Sequence, residues 1–126
     1  MHYSRESQVE GFEAIPPHKR TLKVLLSPQA NRTKNMSLGM TILDPGCSSS
    51  LHSHEREEEI WFVVSGTGLA TVAEETIHIE KGTAIYIPPK QTHQLVNEGS
   101  EKMRVLWAFS PPGPEAAYFG RKGGEA

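Results

Sequence analysis

From about residue 21 to residue 109, apolar residues come in short runs separated by turn residues. Residues 22–26 (LKVLL) read as a strand, and residues 28–35 are polar and turn-rich. Residues 36–43 (MSLGMTIL) form a second run, closed by Asp44-Pro45-Gly46. Residues 51–54 are short and extended. Residues 59–64 (EIWFVV) are strongly β-prone and stop at Ser65-Gly66. Residues 69–72 and 76–79 read as a hairpin around Ala73-Glu74-Glu75, and Glu80-Lys81-Gly82 turns again. Residues 84–87 end at Pro88-Pro89, residues 93–96 are short, and residues 103–109 make the last good strand. Many short strands with frequent turns predict an antiparallel sandwich or barrel, and no helical periodicity of useful length interrupts them. The chain divides into an N-terminal arm (1–20), a β-barrel domain (21–110) and a C-terminal tail (111–126). The tail opens with Pro111-Pro112-Gly113-Pro114, and residues 115–119 have the makings of one helical turn.

The bulk numbers narrow the partners more than the fold. The 126 residues suit one domain that can bury a core without staples. A net charge of −2 gives no electrostatic reason to expect nucleic acid or an anionic membrane. Cys47 is the one cysteine, so no intramolecular disulfide forms, which fits a reducing compartment. The first ten residues carry no apolar signal segment, and no stretch approaches the ~20 apolar residues of a spanning helix. The cytoplasm is the expected location.

The chemistry concentrates in two clusters. One is Gly46-x5-His52-x-His54-x4-Glu59-x6-Gly66; the other is Gly82-x5-Pro88-x4-His93-x3-Asn97. On a strand, residues two apart share a face, so His52 and His54 point the same way. Glu59 starts the next run after a polar connection that can fold it back toward them, with Trp61 and Val63 on its face. His93 would close the set from a distant strand. Three imidazoles and a carboxylate suit one borderline divalent ion per chain: Mn, Fe, Co, Ni or Zn. A six-coordinate ion would keep two positions open for a small molecule, whereas a closed structural zinc site keeps none. The plainer alternative is a solvated polar loop, since Glu55-Arg56-Glu57-Glu58-Glu59 is also a charge run.

These two clusters resemble the paired motifs of the cupin superfamily. The first fits at every fixed position. The second matches at Gly82, Pro88, His93 and Asn97, with Lys90 where the family has its middle glycine. Only 15 residues, 67–81, separate the two, as in short single-domain microbial cupins. The resemblance implies an all-β double-stranded β-helix, or jelly-roll barrel, with a metal inside near its wider mouth. Carried over by position, His52, His54, Glu59 and His93 are the expected metal ligands. Glu58 meets the looser spacing, but Glu59 lies seven before Gly66, as the family's glutamate does. Lys90 bears on the turn before His93, because a glycine there would supply positive φ.

Among the remaining residues, Trp61, Phe62, Tyr86, Trp107 and Phe109 read as core, and Met36, Met40 and Met103 as barrel filling. Cys47 reads as a small, partly buried residue, His78 as a surface residue and Asn97 as a backbone anchor. Gln91 and Arg104 are candidates to touch a polar substrate. The resemblance implies a metal-dependent enzyme acting on a small molecule, by oxygenase, oxidase, decarboxylase or isomerase chemistry. The alternative is a metal-bearing module that binds a small acid or sugar without turnover. A DNA-linked sensor is disfavoured, since 126 residues leave no room for a helix-turn-helix beside the barrel. The family also implies a homodimer, for which residues 22–26 are apolar enough.

Overall fold

The turn-bounded runs become antiparallel strands in the computed structural model, which describes residues 1–14 and 18–118. Among the described residues these are β1 (Phe12–Ala14), β2 (Arg20–Leu26), β3 (Ser37–Leu43), β4 (Glu58–Ser65), β5 (Thr67–Val72), β6 (Glu75–Glu80), β7 (Ala84–Ile87), β8 (His93–Val96) and β9 (Met103–Ser110). A six-stranded sheet runs β1-β2-β3-β9-β4-β7 and faces a three-stranded sheet, β6-β5-β8. The result is an all-β jelly roll. The first fourteen residues contribute to it, because β1 pairs Phe12 with Leu22 and Ala14 with Arg20. Residues 15–17 of the arm and 119–126 of the tail lie outside the described residues. The tail makes a 3-10 turn at Pro114–Tyr118.

The segment read as turn-rich holds one short helical turn, α1 (Pro28–Asn31). Ser27 caps it by accepting the Ala30 N–H at 3.2 Å, proline starts it, and Arg32 at φ 60° ends it. These are the ordinary start and stop signals of a helix compressed into one turn.

The core lies between the sheets. Val24, Leu43, Trp61, Val63, Val105, Trp107 and Phe109 of the large sheet meet Ala70, Ile79 and Leu95 of the small one. Each large apolar side chain buried there contributes roughly 1.5–3 kcal/mol. Period-two alternation sets who enters: on β4, Glu59, Trp61 and Val63 are buried while Glu58, Ile60 and Phe62 are exposed. Two residues expected in the core are therefore outside it. Phe62 pairs with Ala84 and Leu106 on the outer face of the large sheet, and Tyr86 stands beside Ile60 there. Met36, expected as barrel filling, precedes β3 and is exposed. Trp61, Trp107, Phe109, Met40 and Met103 are buried as expected, and His78 is exposed. A smaller cluster of Leu25, Met40 and Ile42 on the outer face is covered in part by Val9 of the arm.

Candidate metal centre

The approach to the site begins at the corner after β3. Gly46 turns at φ 77°, and its N–H donates to the Asn97 carbonyl at 3.0 Å, while the Asn97 N–H returns a bond to Cys47 at 2.9 Å. The Asn97 side chain donates to the carbonyls of Leu43 and Glu101, both at 2.8 Å, and so anchors the corner as expected. From there residues 48–52 run along β8 as a loose extra strand. Ser49 binds Leu95 through both its backbone and its hydroxyl, and His52 bridges directly to His93. Beyond Pro88-Pro89, Lys90 adopts φ 70°, the conformation a glycine would supply without strain. Its N–H donates to the His54 carbonyl at 2.7 Å and holds that histidine's backbone against the turn.

These elements bring His52, His54, Glu59 and His93 together. The candidate ligand atoms of the three histidines all lie within 4.8 Å of one another. Glu59 Oε1 stands 3.2 Å from His93 Nε2 and 3.7 Å from His54 Nε2. Metal bonds of about 2.1 Å at right angles would separate neighbouring donors by about 3 Å, so the spacing is near that of a shared ion.

Hydrogen bonding shows which atoms are free to bind it. His52 Nδ1 donates to the Ser50 carbonyl at 2.8 Å, and His93 Nδ1 donates to Gln91 at 2.9 Å. A neutral ring that donates from Nδ1 presents a lone pair at Nε2. His93 Nε2 thus faces the carboxylate oxygen lone pair to lone pair, an arrangement that needs a positive charge between them. His54 Nε2, His93 Nε2 and Glu59 Oε1 are all buried without a hydrogen-bond partner. Buried polar atoms left unsatisfied are costly. One proton between His93 and Glu59 would still leave His54 bare, whereas one cation answers all three. The donor set therefore fits a metal ion. Burial also holds the pKa of His52 and of His54 below the ordinary imidazole value, outweighing the Ser50 hydrogen bond on His52 and the Glu59 charge on both. Both rings stay neutral, as ligation requires. Glu59's other oxygen accepts the Trp61 indole N–H at 2.9 Å, which fixes the carboxylate's orientation.

The centre opens onto a cavity of about 320 Å³. Its walls include Arg20, Leu22, Thr41, Ser49, Ser50, Leu95, Trp107, Phe109 and Pro114. The two side chains suggested as substrate contacts are not among them. Gln91 is exposed, and Arg104 lies on the outward face of β9, where it binds Glu6 and touches the Met40 sulfur at 3.5 Å. Arg20 was the residue to find: it shares parity with Leu22 and Val24 on an amphipathic strand, so it faces inward. Cys47 is half-buried against the core.

Residues 39–109 match the cupin domain family model (Cupin_2), more than half of the chain. The chain is a cupin. An uncharacterised protein of Methanocaldococcus jannaschii is 35% identical to this cupin over 91 residues, covering 72% of this chain and 73% of that one. Among solved structures, a predicted oxalate decarboxylase from Thermotoga maritima superposes with a TM-score of 0.79 at 23% identity, covering 89% of this chain and all of that one. The polyketide cyclase RemF from Streptomyces resistomycificus superposes with a TM-score of 0.75 at 23% identity, covering 90% of this cupin and 82% of that chain. At such identity the structural likeness carries the fold alone. No helix among the described residues is long and apolar enough to cross a membrane.

Proposed function

We propose that this cupin is a metal-dependent enzyme acting on a small molecule, with one divalent transition metal per chain held by His52, His54, Glu59 and His93. The observation that carries this reading is the set of buried, partnerless donors, His54 Nε2, His93 Nε2 and Glu59 Oε1, clustered beside an open cavity. A bound Mn, Fe, Co, Ni or Zn ion would supply Lewis-acid polarisation of a substrate oxygen and, with a redox-active ion, electron transfer. The chain's own part is to fix the donor geometry and the cavity's shape. Ser50 and Gln91 set the ring tautomers, Trp61 orients the carboxylate, and Leu22, Leu95, Trp107 and Phe109 keep the pocket largely apolar. The predicted oxalate decarboxylase and the polyketide cyclase among the structural neighbours are compatible with enzyme chemistry on this fold.

A second reading is favoured by one observation. Apart from the candidate donors, the cavity lining contains, among the described residues, no Asp, Glu, His or Lys to serve as an additional acid or base. A metal-bearing module that binds a small molecule without turnover would have the same lining. We place the chain in the cytoplasm and assign a second copy of it to the outer face of the large sheet, where Ile60, Phe62 and Tyr86 are exposed.

The test is elemental analysis of the purified protein beside His52→Ala and Glu59→Gln, followed by substrate panels after reconstitution with Mn, Fe, Ni and Zn. About one ion per wild-type chain, lost in the variants, and turnover with at least one ion support the enzyme. Full metal occupancy in His52→Ala would sink the site. Saturable thermal stabilisation by one compound without product from any ion would select the binding module.

A further inference from the structure

The cavity wall holds a positive charge that no acid of the described residues answers. Arg20 is only 7% exposed and lines the cavity together with His52, His54 and Glu59. Its hydrogen bond runs from Nη1 to the His18 carbonyl at 3.0 Å, and among the described residues no carboxylate lies within ion-pair reach of it. The contrast with two more accessible cations is direct: Lys23 and Arg104 both pair with Glu6. Glu59, the carboxylate of the cavity wall, has one oxygen facing the histidines and the other bound to Trp61. The His18 carbonyl offers the buried guanidinium a dipole but no opposite charge.

Donors in the same wall add to the pattern. Trp107 Nε1–H is buried without an acceptor. Its ring lies across Gly39, where a Cβ would come within 2.0 Å of it, so the glycine keeps that wall open to the indole. Thr41, paired with Leu22 on the neighbouring strand, also lines the space. The cavity wall thus combines a candidate cation site with a planar fork of donors that matches a carboxylate in two parallel bonds.

We infer that Arg20 is the specificity-determining residue of this cavity, and that the molecule it admits is a small carboxylic acid whose anionic group pairs with the guanidinium. This rests on the metal-site reading and adds the substrate class to it. The cavity volume, at the small end of the ~300–1,000 Å³ typical of small-molecule sites, suits such an acid.

The test titrates the zinc-loaded protein with oxalate, malonate and succinate, with their neutral diamides, and with inorganic phosphate, by calorimetry and metal analysis in parallel. The expected result is at least tenfold tighter binding of one acid than of its diamide. Arg20→Met should weaken that acid by roughly 30-fold or more, leave the diamide unchanged, keep the metal, and leave thermal stability equal or higher. Arg20→Lys, which keeps the charge but loses the fork, should fall between, and serves if the methionine variant does not fold. Acid preference surviving in Arg20→Met, no preference in the wild type, or phosphate binding tighter than any carboxylate overturns the inference. If the wild type takes up none of Mn, Fe, Co, Ni or Zn, the metal-site reading fails separately, and the same titration of the metal-free protein still reads the Arg20 preference.

Discussion

His52 and His93 stand directly opposite each other and exchange both backbone hydrogen bonds, His52 N–H to the His93 carbonyl at 3.2 Å and His93 N–H to the His52 carbonyl at 2.8 Å. Two candidate ligands 41 positions apart in the chain thereby share one antiparallel bridge. Their rings are positioned by the sheet and by Nδ1 bonds to Ser50 and Gln91, independently of any ion. Stripping metal with a chelator should therefore lower the melting temperature while leaving the far-ultraviolet circular dichroism at 25 °C unchanged. Stability should return with added ion in a concentration-dependent way. Loss of the β spectrum on chelation would show that the ion, and not the bridge, builds the site.

Trp61 reaches the centre through Glu59. Trp61→Phe keeps an aromatic ring in the core but removes the donor that fixes the carboxylate. Metal affinity should fall by about 10–100-fold, the usual cost of losing such a supporting bond, as read by competition with a chelator of known affinity. Unchanged affinity would mean that Glu59 does not ligate.

Acid should weaken the metal-free protein through His52 and His54. Burial holds both below the ordinary imidazole value, so the folded state disfavours their charged forms. The unfolded chain takes up these protons at about pH 6.5. The corresponding stability is fully present above that pH and is lost as pH falls through the lower folded-state values. Urea midpoints measured across this range should decline in the wild type and flatten in His54→Gln. Parallel curves would assign the acid sensitivity elsewhere.

Glu115 pins the tail beside the cavity. The Ser37 hydroxyl and the Gly113 N–H both donate to its Oε1, and the neighbouring Pro114 is part of the cavity wall. Glu115→Ala leaves the buried Ser37 hydroxyl unanswered, which should cost about 1–3 kcal/mol. It should also hasten proteolysis within residues 111–118. Glu115→Gln should restore most of both, since one oxygen makes both bonds.

Lys90 occupies left-handed backbone at φ 70°. Lys90→Gly removes the steric penalty of a side chain there but loosens the unfolded chain. The net gain should be up to about 1 kcal/mol in denaturant titrations, with metal content unchanged. A loss of stability would show that the lysine side chain contributes more than its backbone strain costs.

Much of the site was legible because it depends on local rules. Period-two alternation alone places Glu59, Trp61 and Val63 on one face, and the motif spacings select the three histidines. Alternation does not say which face is inside. Phe62 and Tyr86 are as apolar as their buried neighbours, yet the pleat of β4 and β7 turns them outward. Arg104, a candidate substrate contact, lies outside the cavity for the same reason, and Arg20, given no role from the sequence, lines it. Arg104 faces out toward Glu6, 98 residues away in sequence, while Arg20 shares the inward face of Leu22.

What the chain's own letters determined is the strand rhythm, the turns at Gly46, Gly66 and Gly82, and which residues are candidate donors, because each follows from preferences or spacings that act over a few neighbouring residues. What only the tertiary structure decided is the convergence of His52, His54, Glu59 and His93, the missing hydrogen bonds at the tips of the last three, and the inward charge of Arg20. These depend on how two sheets close over one another, and that closure is set by contacts between residues distant in sequence.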